Sequence, residues 1–238
     1  MKVTRILGSL LVLAVVTSAA PVHAAPAVSL YWDVCAPGGP LNLNKNFAGP
    51  GIYKLVFSGN GFSGGVLGQR QTALVGGPGG LGDAWRFDAT GCNTGQVSFS
   101  TAGLSKTCPK LEGTNPLALT QYGYDPLTLK GSIDVANAFD MFAAAATQTY
   151  TLFSVNLDHS FSAVGPNDPT GAVCGRAQDP VCIHMVRSSY LDASNNELPA
   201  GIANEWVTWQ DPNNGSHCPG ATASVPSTWG SIKNQYHR

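Results

Sequence analysis

The sequence predicts an all-β fold, a single antiparallel β-sandwich of the jelly-roll or Ig-like kind that ends in a short C-terminal helix. Apolar and polar residues alternate with a period of two over short stretches, which is typical of strands with one buried face. Turn residues separate these stretches, and residues 76–80 read Gly-Gly-Pro-Gly-Gly, a sequence that suits only a loop. The sequence shows no internal repeat and no linker-like stretch. These patterns favour one domain built from short strands.

The strand pattern recurs along most of the chain. The predicted strands are 28–32, 52–57, 71–75, 84–87, 97–100, 133–136, 149–161, 181–186 and 205–209. In the second of these, Tyr53, Leu55 and Phe57 share one face, which we expect to point into the core. The segment 149–161 is the longest, and we expect it to be a central strand.

Three segments depart from the strand pattern. Residues 138–146 are rich in Ala and predict a loop or a short helix between strands, and residues 119–126 predict a loop. Near the end of the chain, Ser227 suits the N-cap of a helix. That helix would place Trp229, Ile232 and Tyr236 on one face at i, i+3 and i+7.

The first 24 residues have the features of a signal peptide. Lys2 and Arg5 precede an apolar run over 6–16, and residues 22–24 read Val-His-Ala, a small-x-small cleavage pattern. The mature chain is therefore expected to begin at Ala25, with residues 25–238 forming the single domain. We expect a secreted protein, in the periplasm, at the cell surface or in the medium. No later segment has the roughly 18 apolar residues that predict a membrane span.

Charged residues make up 11% of the sequence, against roughly 25% in an average globular protein. Loss of Lys2 and Arg5 with the leader leaves 11 basic and 14 acidic residues, a net charge of −3. No basic cluster is present in the sequence, so neither nucleic acid nor an anionic membrane is an expected partner.

All six cysteines follow the cleavage site, and an even number in an oxidising compartment indicates three disulfides. Six cysteines allow 15 pairings. Proximity in sequence favours Cys92–Cys108 and Cys174–Cys182, which leaves Cys35–Cys218. The alternative is a metal site at 182–184 and 217–218, where His adjoins Cys, but these spacings match no zinc pattern.

Five short motifs lie in order along the mature chain. They are W-x-x-C at 32–35, N-K-x-F at 44–47, P-V-C-I at 180–183, V-T-W-Q at 207–210 and T-W-G-x-I-K-x-x-Y-x-R at 228–238. In these motifs the chain resembles a family of uncharacterised exported bacterial proteins. Gly49 stands where relatives often have a Cys, which leaves the partner of Cys35 open. The resemblance implies a secreted domain and implies no activity.

Catalytic motifs are weak in this sequence. Residues 61–65 fit the G-x-S-x-G nucleophile elbow around Ser63, with Asp158, His159 and His184 as candidate partners. That motif requires a helix after the serine, whereas a further strand follows here, so we interpret the segment as a glycine-rich hairpin. Single carboxylates such as those in the pairs Asp83/Asp88 and Asp134/Asp140 are interpreted as solvated turn residues.

Two segments, 192–197 and 211–215, have the oxygen-rich composition of calcium loops, but neither has the EF-hand register. We interpret both as polar turns. No cofactor is expected, and calcium is the alternative.

Aromatic residues are the feature of this sequence that best suits a ligand. The candidate ligand-binding residues, which could stack on sugar rings if exposed, are Trp85, Tyr122, Tyr124, Trp206 and Trp209. Trp206 and Trp209 are three residues apart, so on one strand they point to opposite faces.

The sequence thus favours a structural or adhesive surface domain that binds another protein and has no catalytic activity. A carbohydrate-binding module is the alternative, with a glycan as its partner, and a hydrolase is the third hypothesis.

Overall fold

The computed structural model describes residues 25–35, 43–163, 174–211 and 218. The predicted signal peptide and the predicted C-terminal helix lie outside the described residues. The described part of the chain forms twelve strands and one 3₁₀ turn, Asp83–Trp85. The strands are β1 (Ala27–Trp32), β2 (Asn44–Lys45), β3 (Ile52–Asn60), β4 (Gly64–Gly76), β5 (Val97–Ser100), β6 (Leu117–Asp125), β7 (Lys130–Ala144), β8 (Tyr150–Asp158), β9 (Val181–Asp192), β10 (Glu197–Pro199), β11 (Gly201–Asn204) and β12 (Trp206–Trp209).

These strands form the two sheets of a β-sandwich. One sheet has five strands in the order β11-β1-β3-β8-β5. The other has seven, in the order β2-β12-β9-β4-β7-β6, with β10 also paired to β9. All pairs are antiparallel except β1 with β11 and β2 with β12. No helix in the described part of the chain is long and apolar enough to cross a membrane.

The core lies between the two sheets and draws side chains from both of them. Tyr53, Leu55 and Phe57 on β3 are buried in it, as their alternation predicts. Ile133 and Val135 on β7 contribute from the opposite sheet. The prediction of a central strand over 149–161 is confirmed in part, because β8 has a neighbour on each side, β3 and β5, but it covers only Tyr150–Asp158 and is the fourth of five strands.

Two segments differ from their predicted structure. Residues 84–87 are predicted as a strand, yet Asp83–Trp85 is a 3₁₀ turn. The backbone carbonyl groups of this turn accept hydrogen bonds from side chains, because Asn93 donates to the Ala84 oxygen and Tyr122 to the Trp85 oxygen. The second segment, 138–146, is predicted as a loop or short helix, but it continues β7 as far as Ala144. Pairing with β4 along this stretch outweighs the helix propensity of alanine.

Two loop assignments also need correction. Residues 119–126 belong mostly to β6, which pairs with β7 over nine positions. The glycine-rich residues 61–63 do not close a hairpin, because β3 and β4 belong to different sheets. They carry the chain across the sandwich.

All six cysteines form disulfides, but each predicted pairing is wrong. The bonds are Cys35–Cys108, Cys92–Cys174 and Cys182–Cys218. Tertiary contacts decide the partners: Asn93, next to Cys92, donates a hydrogen bond of 3.0 Å to Ser162, and Ser162 forms a β-bridge with Cys174. Proximity along the chain therefore gives no information about these bonds.

Candidate binding groove

Three of the five predicted ligand-binding aromatics are core residues. Trp85 and Trp209 are completely buried, and Tyr122 is 9% exposed. Trp209 packs edge-on against Trp85 at a ring distance of 5.1 Å, and Tyr122 donates a hydrogen bond of 2.5 Å to the Trp85 carbonyl oxygen. A ring that stacks on a sugar must be exposed, so these three side chains contribute to packing.

The remaining two aromatics, Tyr124 and Trp206, are half-buried and lie on different strands, β6 and β12. The guanidinium of Arg86 covers the ring of Tyr124 at 3.7 Å. Arg86 also donates to Asp88, and this hydrogen bond holds the pKa of the Asp88 carboxyl well below its usual range. Trp206 lies on the face of β12 opposite to Trp209, as the spacing predicts. The five aromatics therefore do not form one exposed surface.

His159 lies within the same aromatic core. Its ring stacks on Trp209 at 4.9 Å, and its Nδ1 is 2.9 Å from the hydroxyl of Ser162. Burial lowers the pKa of His159 to about 3, against a small opposing effect from the neighbouring Asp158 carboxylate. The folded protein therefore holds this imidazole neutral at physiological pH.

We expect the free energy of unfolding to decrease as pH falls below about 6.5, because a histidine in the unfolded chain then takes up a proton. The buried ring resists protonation until the pH approaches its pKa of about 3. The stabilisation from keeping His159 neutral is complete above the histidine pKa of the unfolded chain. It is lost as the pH falls toward the lower pKa of the folded protein. At most it falls by about 1.4 kcal/mol per pH unit, or about 3 kcal/mol between pH 6.5 and 4.

The variant His159→Phe tests this prediction, since it keeps a ring on Trp209 and leaves Ser162 its hydrogen bond from Asn93. Urea unfolding at pH 7, 5.5 and 4 should show a weaker pH dependence for the variant than for the wild type. Equal pH dependence of the two proteins would contradict the attribution of this loss of stability to His159.

Ser63 does not have the surroundings of a catalytic serine. It is exposed and is followed directly by β4, with no helix after it. His184 pairs with Leu74, eleven residues from Ser63 and therefore about 36 Å away along β4. Asp158 and His159 lie near Ile52, at the far end of β3. These groups cannot form a triad.

The carboxylates take part in local hydrogen bonds. Asp134 accepts a hydrogen bond from Thr72 and Asp140 from Thr114, and the two aspartates are six positions apart on β7, which separates them by about 20 Å. That exceeds the spacing of a glycosidase pair. In the segment 192–197, for which calcium binding is the alternative to a polar turn, the Asp192 carboxylate accepts hydrogen bonds from backbone N–H groups of its own turn. No cluster of three metal-ligating side chains occurs among the described residues.

The outer face of the seven-stranded sheet carries an apolar groove with a volume of about 230 Å³. We call it the outer groove. Its principal lining residues are Arg70, Leu117, Leu119, Ala136, Ala138 and Leu191. Strand register brings them to one face, because Leu117 pairs with Ala138 and Leu119 with Ala136.

Small residues form the floor of the outer groove and large ones its walls. Gly68 pairs with Ala138 on one side and Leu191 on the other. A Cβ atom on Gly68 would lie 2.5 Å from the Asn137 carbonyl oxygen, so this position accepts only glycine. Leu117 and Leu119 form one wall, and their side chains are 67% and 70% exposed. Two exposed leucines beside a concave floor are a feature of binding surfaces.

Charged side chains border the groove on the opposite side. Glu197 accepts hydrogen bonds from the Ser189 hydroxyl at 2.6 Å and from Arg187 at 2.7 Å. These bonds, with that from Ser189 the stronger, lower the pKa of the Glu197 carboxyl. The site is thus an apolar groove with an ionised rim.

Strand β6 is an edge strand, hydrogen-bonded on one side to β7. It has nine residues, whereas the other terminal strands in the described part, β2, β5, β10 and β11, have two to four. Short strands, lysines, prolines and bulges normally protect sheet edges. Strand β6 is long and contains no lysine, no proline and no bulge, and its one charged residue is Asp125 at its end. Its free edge can therefore pair with another strand.

Neither Leu117 nor Leu119 is predicted to be a site residue, because the segment 119–126 is predicted to be a loop and residue 117 is assigned to no strand. The alternation Leu117-Ala118-Leu119-Thr120 is nevertheless a strand pattern. Which face of that strand points outward depends on its pairing with Ala136 and Ala138, so the sequence alone does not place the leucines on the surface.

No known protein family and no curated protein matches this chain in sequence. Solved structures with a similar arrangement of strands include a type II cohesin domain of Acetivibrio cellulolyticus, with 10% identity, a TM-score of 0.43 and coverage of 79% of this chain and 96% of that one. A non-cellulosomal cohesin of Archaeoglobus fulgidus has 9% identity, a TM-score of 0.37 and coverage of 78% and 90%. A cohesin module of a Clostridium perfringens family 33 glycoside hydrolase has 7% identity, a TM-score of 0.37 and coverage of 77% and 93%. Similarities this low carry no information about function.

Proposed function

We propose that this protein is an exported, non-catalytic binding domain that takes an extended segment of a partner protein along β6. The exposure of Leu117 and Leu119, 67% and 70%, on a long unprotected edge strand is the observation that carries the proposal. Export is supported by the leader sequence and by the use of all six cysteines in disulfides.

The mode of binding follows from the geometry of the edge. An added strand would form main-chain hydrogen bonds with β6, and alternate side chains of that strand would lie on the face of Leu117 and Leu119. The partner segment is therefore expected to alternate apolar and polar residues. A carbohydrate has less support, because the large exposed apolar side chains of the described residues include no Trp or Tyr.

We expect Leu119→Asp to weaken the binding of such a segment by at least 30-fold, since it places a charge in an apolar contact worth about 2 kcal/mol. The probe is a set of extended peptides selected from a displayed library against the immobilised wild-type protein. Affinity is measured by calorimetry on the purified peptides. Because Leu119 is exposed, the melting temperature should stay within about 2 °C of the wild-type value.

Leu127→Asp is the matched control, since Leu127 is 93% exposed in the turn between β6 and β7 and is not part of the groove. It should bind the peptides as the wild type does. Selected peptides that lack alternation, or that bind Leu119→Asp and the wild type equally, would overturn the proposal.

A further inference from the structure

The disulfide Cys182–Cys218 determines where the last twenty residues of the chain begin. Val181 and Ile183 point into the core, so Cys182 between them points to the outer face of the seven-stranded sheet. Its Cα lies 5.1 Å from that of Cys218. Residues 219–238, which lie outside the described residues, therefore start on the same face as the outer groove.

The distance from this starting point to the groove is short. Cys182 pairs with Gly76 on β4, and Gly68, whose strand partners Ala138 and Leu191 line the groove, is eight residues away along that strand, about 26 Å. Trp229 follows Cys218 by eleven residues, which span up to about 36 Å when extended. Trp229 can therefore reach the groove from Cys218.

The chemistry of residues 219–238 complements the groove. They contain Trp229, Ile232 and Tyr236, and their charged side chains are the two cations Lys233 and Arg238. The rest of the mature chain is acidic, since it contains the other nine of the 11 basic residues and all 14 acidic residues. A cavity of about 150 Å³ suffices to hold a benzene ring, so a groove of about 230 Å³ has room for an aromatic side chain.

We propose that residues 219–238 bind in the outer groove of their own chain, with the Trp229 side chain between Leu117, Leu119 and Leu191. The segment thereby competes with the partner strand for the wall of leucines. The binding of residues 219–238 in the groove is argued from the position of the disulfide, the distance that the segment can span and its apolar side chains. Their competition with a partner strand rests on the proposed function.

The experiment uses the full chain with the photo-reactive residue p-benzoylphenylalanine in place of Trp229. After irradiation of a dilute sample, mass spectrometry should find crosslinks within one chain to peptides of β4, β6 or β9 that line the groove. Leu119→Asp should lower their yield at least tenfold, whereas Leu127→Asp should leave it unchanged. Crosslinks to the five-stranded sheet, crosslinks between chains only, or no crosslinks would overturn the proposal.

A second measurement separates this proposal from the proposed function. In the full chain, Trp229→Ala with Ile232→Ala should strengthen the binding of the selected peptides at least fivefold. Groove crosslinks with no selectable peptide would leave the docking intact and contradict partner binding. Peptides that depend on Leu119 but bind the double variant and the wild type equally would support partner binding and contradict the competition.

Discussion

Trp209→Ala should lower the free energy of unfolding by about 3–5 kcal/mol, the usual cost of truncating a buried tryptophan. Trp209 is fully buried and lies at ring distances of 4.6 Å from Tyr53, 4.9 Å from His159 and 5.1 Å from Trp85. Its Nε1 donates a hydrogen bond of 2.7 Å to the Ala177 carbonyl oxygen, which the variant leaves without this donor. The melting temperature should fall on the order of 10 °C.

Trp206→Ala is the matched control for this variant. It removes the same side chain from the opposite face of β12, where Trp206 is half-buried. Calorimetric scans should show a loss no more than about a third as large. Equal losses for the two variants would contradict the placement of Trp209 at the centre of the core and of Trp206 outside it.

Replacing Cys92 and Cys174 together by alanine should cost about 4.5 kcal/mol, the value of the chain-entropy model for a loop of this length. The bond joins residues 82 positions apart, so its loss releases a large part of the unfolded chain. Replacing Cys182 and Cys218 instead, which are 36 positions apart, should cost about 0.7 kcal/mol less. Denaturant unfolding of both double variants measures the difference.

Peptide mapping without reduction checks the pairing on which this prediction depends. The wild type should yield a crosslinked peptide that contains Cys92 and Cys174. A peptide that joins Cys92 to Cys108, the pair favoured by sequence proximity, would contradict the structure, and so would a Cys92/Cys174 variant as stable as the wild type.

In the proposed function, core packing and partner binding depend on different side chains. Three of the five aromatic residues predicted to bind a ligand, Trp85, Tyr122 and Trp209, are instead part of the buried core. The exposed leucines of the groove, Leu117 and Leu119, lie on the edge strand β6, where a protein segment can add main-chain hydrogen bonds. We therefore expect Trp209→Ala to lower stability and Leu119→Asp to weaken the proposed binding, each with little effect on the other property.

The amino-acid sequence is sufficient to predict the all-β class, most of the strands and the inward face of β3. These are local properties, because alternation with a period of two depends only on the pleat of a single strand. The alternation of Tyr53, Leu55 and Phe57 therefore predicted burial correctly. The use of six cysteines in three bonds also followed from composition and leader, without knowledge of any contact.

Contacts between residues far apart in sequence establish which strands pair, which cysteines form bonds and which large side chains remain exposed. Cys92 and Cys174 are far apart in sequence and are brought together by the contact between Asn93 and Ser162. Alternation shows that the two faces of a strand differ, but it does not show which face another sheet will cover. Trp85 and Trp209 are therefore buried, while Leu119, in a segment predicted to be a loop, forms the wall of the groove together with Leu117.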